Sequence, residues 1–90
     1  MDKAIITVVG KDTVGIIAKT SAYLARNAIN ILDISQTVVG GYFNMMMIVD
    51  ASACDRPFDA IARGLSKLGA GMGLEIRCQK SEIFEKMHRV

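Results

Sequence analysis

Apolar positions along the chain change their period several times, and each change marks an element. Residues 3–9, Lys3-Ala4-Ile5-Ile6-Thr7-Val8-Val9, are dense in β-branched side chains and read as a strand. From about Val14 to Asn27 the period becomes helical: Val14, Ile17, Ala18, Ser21, Leu24, Ala25 and Ala28 form a narrow stripe of small and apolar residues, with Lys19, Tyr23 and Arg26 opposite. Asn27-Ala28-Ile29-Asn30 is expected to end this helix, since asparagine tolerates the left-handed conformation used there. From Ile31 to Val39 the chain alternates, with Leu32, Ile34, Gln36 and Val38 to one side and Ile31, Asp33, Ser35, Thr37 and Val39 to the other. Gly40-Gly41 supplies a tight hairpin turn, and Tyr42 to Val49 returns as a third strand that is apolar on both faces.

Asp55 is expected to cap a second helix, with Pro57 in its first turn and Asp59 near the positive end of the dipole. Phe58, Ile61, Ala62, Leu65 and Leu68 mark the buried side of that helix. Gly69-Ala70-Gly71-Met72-Gly73 stops it, and Leu74 to Gln79 alternates as a fourth strand. In the last segment Ile83, Phe84, Met87 and Val90 fall on one side of a short amphipathic helix, with Glu82 placed to pair with Lys86. The order β-α-β, diglycine turn, β-α-β predicts an α+β fold, the ferredoxin-like βαββαβ sandwich. It has a four-stranded antiparallel sheet with two helices on one face, plus a short C-terminal helix. Residues 1–80 are expected to form the domain and 81–90 a helical extension. The apolar side chains left on the other sheet face call for cover by the tail or by a second subunit.

A chain of 90 residues makes one small domain with a thin core. Its apolar content of 51% and mean hydropathy of +0.32 exceed what so small a core absorbs, which points to an oligomer. The net charge of +2 is spread along the chain, without the basic stripe and exposed aromatics that nucleic-acid binding uses. No segment is apolar for long enough to span a bilayer, and the N-terminus lacks a signal-peptide pattern, so the expected location is cytoplasmic. Cys54 and Cys78 lack the paired spacing of a zinc site and are expected to be free thiols. Cys54 near a helix start leaves a redox role open, whereas Cys78 alternates with Leu74 and Ile76 and reads as core.

Chemistry concentrates between the first strand and helix, at Val9-Gly10-Lys11-Asp12-Thr13-Val14-Gly15-Ile16-Ile17. Gly10 would let the backbone leave the strand at unusual dihedrals, and Gly15 would leave room for something to approach the main chain. Asp12 and Thr13 can cap the helix, whose free amides also suit an anion. Two readings follow: a capped turn, or a seat for a small zwitterion with its carboxylate on the amides and its ammonium near Asp12. His88 is the only histidine, so a catalytic dyad or histidine-rich metal site would have to be assembled across subunits. Met45, Met46 and Met47 point alternately to opposite faces and cannot converge on one soft metal ion. Asp33 reads as a strand-surface residue and Asp50 as a turn former.

Three stretches together resemble the ACT domain family of small-molecule sensors. They are Ile6 to Ile16, Leu24 to Thr37, and Phe43 to Asp50. The segment Glu82 to Arg89 is similar to the tail of free-standing ACT proteins of bacteria and archaea, and the whole pattern is similar to the domains of the glycine-cleavage-system transcriptional regulator. The resemblance implies a non-enzymatic, dimeric regulatory domain that binds an amino acid between subunits and uses no cofactor. It implies ligand contacts from Gly10, Lys11, Asp12, Thr13, Val14, Gly15 and Ile16 of one copy, and from Asn30 and Ile31 of its neighbour. Asp12 would take the ammonium group and the helix-start amides the carboxylate. Val14 stands where the family often has proline, and Gly10 where some members have a polar side chain. The competing reading is an interaction or dimerisation module that docks another protein and binds no metabolite.

Overall fold

The computed structural model describes residues 3–11 and 13–80. The elements run β1 (Lys3–Lys11), α1 (Ile16–Arg26), β2 (Asn30–Val39), β3 (Tyr42–Asp50), α2 (Phe58–Gly71) and β4 (Leu74–Lys80). The four strands form one antiparallel sheet in the order β2-β3-β1-β4. This is the expected ferredoxin-like sandwich; the expected C-terminal helix lies outside the described residues. Gly40 and Gly41 both take positive φ in the hairpin, the conformation a two-residue turn needs to match strand twist.

One side of the sheet carries the core. Ala4, Ile6 and Val8 of β1 join Phe43, Met45, Met47 and Val49 of β3 and Leu74 and Ile76 of β4 beneath the two helices. The third strand, apolar on both faces in sequence, thus commits its odd-numbered residues to the helices, while Met46 on the far side is 46% exposed. Ile61 and Leu65 anchor α2 as expected.

The packing face of α1 differs from the expected stripe. The helix starts at Ile16, two residues beyond Val14, and buries Ile16, Thr20, Tyr23 and Leu24. A stripe phased from Val14 is turned by about one residue, ~100° around the axis. It therefore places Ile17, Ala18 and Ala25 inward when they are exposed, and Tyr23 outward when it is buried. The Tyr23 hydroxyl donates to the Ile61 carbonyl at 3.2 Å, tying α1 to α2. Thr20 is the polar member of this face, and its hydroxyl has no partner among the described residues.

Helix ends also correct two expectations. Ala28, not Asn27, takes the left-handed conformation after α1, with φ 58°. The amide of Ile29 donates to the Leu24 carbonyl at 2.9 Å and that of Ala28 to the Ala25 carbonyl at 3.1 Å, the paired bonds of a Schellman motif. The buried side chains of Leu24 and Ile29 flank it. Asn27 instead donates its side-chain amide to the Tyr23 carbonyl and accepts from Arg56. Because alanine pays a steric cost at positive φ, Ala28→Gly should raise stability by up to about 1 kcal/mol in urea denaturation. A loss would show that the motif does not form.

At α2 the N-cap is Pro57, extended at φ −67° and ψ 152°, with no side-chain cap. The residue before a proline is itself held extended, so Asp55 is carried away from the first amides. Asp59 does sit in the first turn. Along β2 a register irregularity between Ile31 and Asp33 breaks the expected alternation. Ile31 pairs with Val49 and Ile34 with Met47, so both lie on the helix side, while Asp33 pairs with Ile48 on the other. A bulge shifts side-chain parity by one, and period-two reading has no means of anticipating it.

Cys54 and Cys78 are free thiols, both half-buried. Burial pushes the Cys78 thiol up to about 11, which keeps it protonated and unreactive at neutral pH. Among the described residues no helix is long and apolar enough to cross a membrane.

Candidate ligand-binding site

The two glycines of the β1–α1 connection have exchanged their expected roles. β1 continues through Gly10 to Lys11, and Gly10 keeps ordinary strand pairing with Phe43 and Leu74. What it supplies is room: a Cβ there would meet the Leu74 Cδ2 at 2.6 Å and the Gly73 carbonyl oxygen at 3.1 Å. Gly10 therefore lets β4 begin close against β1, which is a packing role. Gly15 supplies conformation, taking φ 90° as the N-cap of α1, with nothing nearer to a built Cβ than the Lys19 Cε at 3.9 Å.

A left-handed N-cap glycine has no side chain to give, and Thr13 does not cap either. Its hydroxyl donates back to the Lys11 carbonyl at 3.0 Å. The first turn of α1 contains no acidic residue, and its earliest described backbone bond is from the Lys19 amide to the Gly15 carbonyl. Among the described residues, helix-start amides thus remain as donors at the positive end of the dipole.

These amides border a cavity of about 270 Å³ lined by Thr13, Gly15, Ile16, Ile17, Ala18 and Phe43. The walls are largely apolar, and the volume lies below the ~300–1,000 Å³ that suits drug-sized ligands. Such a space fits a small molecule whose anionic end meets the amides. Phe43, Ile17 and Ala18 were not among the expected contacts. The position of Phe43 was accessible in principle, because a two-residue Gly40-Gly41 turn followed by antiparallel pairing brings the start of β3 alongside the end of β1.

Of the other expected contacts, Lys11 is exposed at the end of β1, and Val14, 97% exposed, stands at the tip of the turn away from the cavity. Asp12 lies outside the described residues. Asn30 is exposed and Ile31 half-buried at the start of β2, opposite Asp50 and Val49. Asp50 accepts the Ser52 amide at 2.9 Å, the main cause holding its carboxyl below the ordinary value, and it acts as the turn former expected. Asp50 also pairs with Lys3, whereas the β1–α1 loop follows Lys11. Asn30 and the loop are therefore at opposite ends of the sheet, separated by roughly 26 Å at a strand rise of ~3.3 Å per residue. Within one chain they do not meet.

With this arrangement in view, the comparisons with known proteins are decisive about family. The ACT domain model matches residues 2–79. The chain belongs to the ACT domain family. A UPF0237 protein of Bifidobacterium longum is 59% identical to it over 90 residues, covering all of both chains. An ACT domain protein from Streptococcus pneumoniae has a similar structure, with a TM-score of 0.82 and 43% identity over 93% of this chain and 94% of that one. A candidate glycine cleavage system transcriptional repressor matches at a TM-score of 0.75 and 22% identity, over 88% of this ACT domain and 45% of that chain. ACT domains are typically ligand-binding regulatory modules.

Proposed function

We propose that this ACT domain is a non-enzymatic cytoplasmic sensor. It holds a small amino acid or related metabolite between two copies of itself and signals to a separate protein. The observation that carries the reading is the start of α1, without a side-chain cap among the described residues, beside a small apolar-walled cavity. The carboxylate would sit on the amides of α1, where fixed partial positive charge favours it. The aliphatic part would lie against Ile17 and Phe43. The ammonium group would need an acidic or polar partner, the role assigned to Asp12, with Asn30 and Ile31 arriving from the second copy.

The 26 Å separation supports a second copy as the source of Asn30. If two β2 edges meet antiparallel, the start of each strand lies beside the end of the other. Val39 at that end is in register with Tyr42, and Tyr42 with Lys11. Asn30 of one copy is thereby delivered near the β1–α1 loop of its neighbour. Ligand that touches both copies would favour one dimer geometry, because binding shifts a population only through differential affinity.

Thermal unfolding against the common amino acids tests this. At about ten times Kd the matching ligand should stabilise the protein by ~1.4 kcal/mol, a rise of roughly 6–11 °C for a domain of this size. Asp12→Ala should abolish most of that rise. If no compound shifts the wild type, the interaction-module reading replaces the sensor; a shift that survives Asp12→Ala intact moves the site elsewhere.

A further inference from the structure

The sheet face turned away from both helices carries Ile5, Thr7 and Val9 of β1, Met46 and Ile48 of β3, and Glu75 and Arg77 of β4. Exposure on it is graded. Ile5 is 9% exposed although it lies outside the contiguous core, and its neighbours Ile48 and Gln79 are half-buried. At the other end Val9 is 47% exposed, and a shallow cavity of about 230 Å³ opens beside Thr7, Val9, Asn44 and Met46. The low-exposure end is the one nearest Lys80, the last described residue of β4, since Lys80 pairs with Ala4 and Gln79 with Ile5.

We propose that the chain's own C-terminal segment, residues 81–90, docks across this face in cis, with Ile83, Phe84 and Met87 laid over Ile5, Ile48 and Met46. The reach fits. Crossing from β4 to β3 spans two interstrand spacings of ~4.8 Å, and climbing from Ala4 to the level of Met46 takes about three residues of strand rise, a diagonal of roughly 14 Å. A helix of the length of 81–90 extends about 15 Å. Its apolar positions recur at helical spacing, and Glu82, Glu85, Lys86 and Arg89 are left for its wet side. The B. longum relative aligns through residue 90, so the segment is shared by a whole-chain relative although the family match ends at 79.

A second copy fits this face less well. Stacking two sheets would cover β4 as well, and with it the exposed ion pair of Arg77 and Glu75, 2.7 Å apart. Burying those charges costs more than their attraction returns. A segment leaving Lys80 diagonally over β1 and β3 keeps them in water. With this face occupied, the β2 edge is left for contact between copies.

Methionine-methyl NMR on the full chain tests the proposal. Cross-relaxation is expected between the Met46 methyl and Phe84 or Met87, and it should persist when labelled protein is diluted into an excess of unlabelled protein. Phe84→Glu should move the Met46 resonance while leaving Met45 and Met47, on the helix side, in place. Contact seen only between differently labelled copies would overturn docking in cis in favour of an exchanged tail. Absence of any contact, with Met46 indifferent to Phe84→Glu, would overturn it outright.

Discussion

Leu65→Ala should cost about 2–5 kcal/mol, among the large losses expected from truncating a fully buried side chain in this domain. Leu65 is fully buried on α2, in one cluster with Ile61, Leu24 of α1 and the helix-side residues of β1 and β3. Removing its isobutyl group loses transfer free energy and leaves a cavity beneath a helix that the sheet cannot follow inward, because its strands are fixed by their pairing. Native domains hold only about 5–15 kcal/mol in total, so the variant should sit close to the edge of folding. Urea denaturation should show a lower midpoint with an unchanged slope. A loss under about 1 kcal/mol would mean that α2 does not pack on the sheet through this residue.

The second large effect concerns assembly. Ile34 and Val38 lie on the helix side of β2, 44% and 53% exposed, with Leu32 and Val39 also exposed along the same edge strand. A strand with open hydrogen-bonding groups and uncovered aliphatic side chains is primed to pair with another copy. The double variant Ile34→Lys, Val38→Lys should weaken the proposed dimer by about 100-fold or more, a change of ~2.7 kcal/mol, because two ammonium groups would have to be desolvated in the contact. Sedimentation should then report a folded monomer, and the amino-acid-induced rise in unfolding temperature should vanish with the second copy's Asn30. A variant that stays dimeric would place the subunit contact elsewhere and remove the route by which Asn30 reaches the loop. A monomer that keeps its thermal shift would show instead that the ligand site is complete within one chain.

The two outcomes address different levels of the molecule, and their legibility in the sequence differs accordingly. Strand and helix order, the diglycine hairpin and the buried pair Ile61 and Leu65 follow from periodicity, because burial on one side of an element imposes its repeat on the side chains. The inward face of α1 did not follow. Its starting residue set the phase, and that start depends on Gly15 taking a left-handed conformation between Val14 and Ile16. Local dihedrals also explain why neither Thr13 nor Asp55 caps a helix: left-handed Gly15 takes the N-cap of α1 and extended Pro57 that of α2, and composition does not specify such dihedrals.

Within the β1–α1 stretch that the sequence singled out, the division of labour among the residues was not legible. Gly10 looked like a conformational device and Gly15 like a source of room, yet the approach of Leu74 and the Gly73 carbonyl, a tertiary contact, shows that Gly10 answers to packing, while Gly15 takes the positive φ. Phe43 and Ile17 enter the cavity wall through strand register and helix phase, neither of which is local. By itself the sequence determined the βαββαβ order, the turn where an anion could meet free amides, and the excess of apolar surface. Only the tertiary structure decided which side of each element is covered, which glycine serves space and which serves conformation, and that Asn30 stands too far from the loop to share a site within one chain. The physical reason is one of range: periodicity and turn chemistry act over a few residues, whereas register, bulges and close approach arise only when distant segments pack.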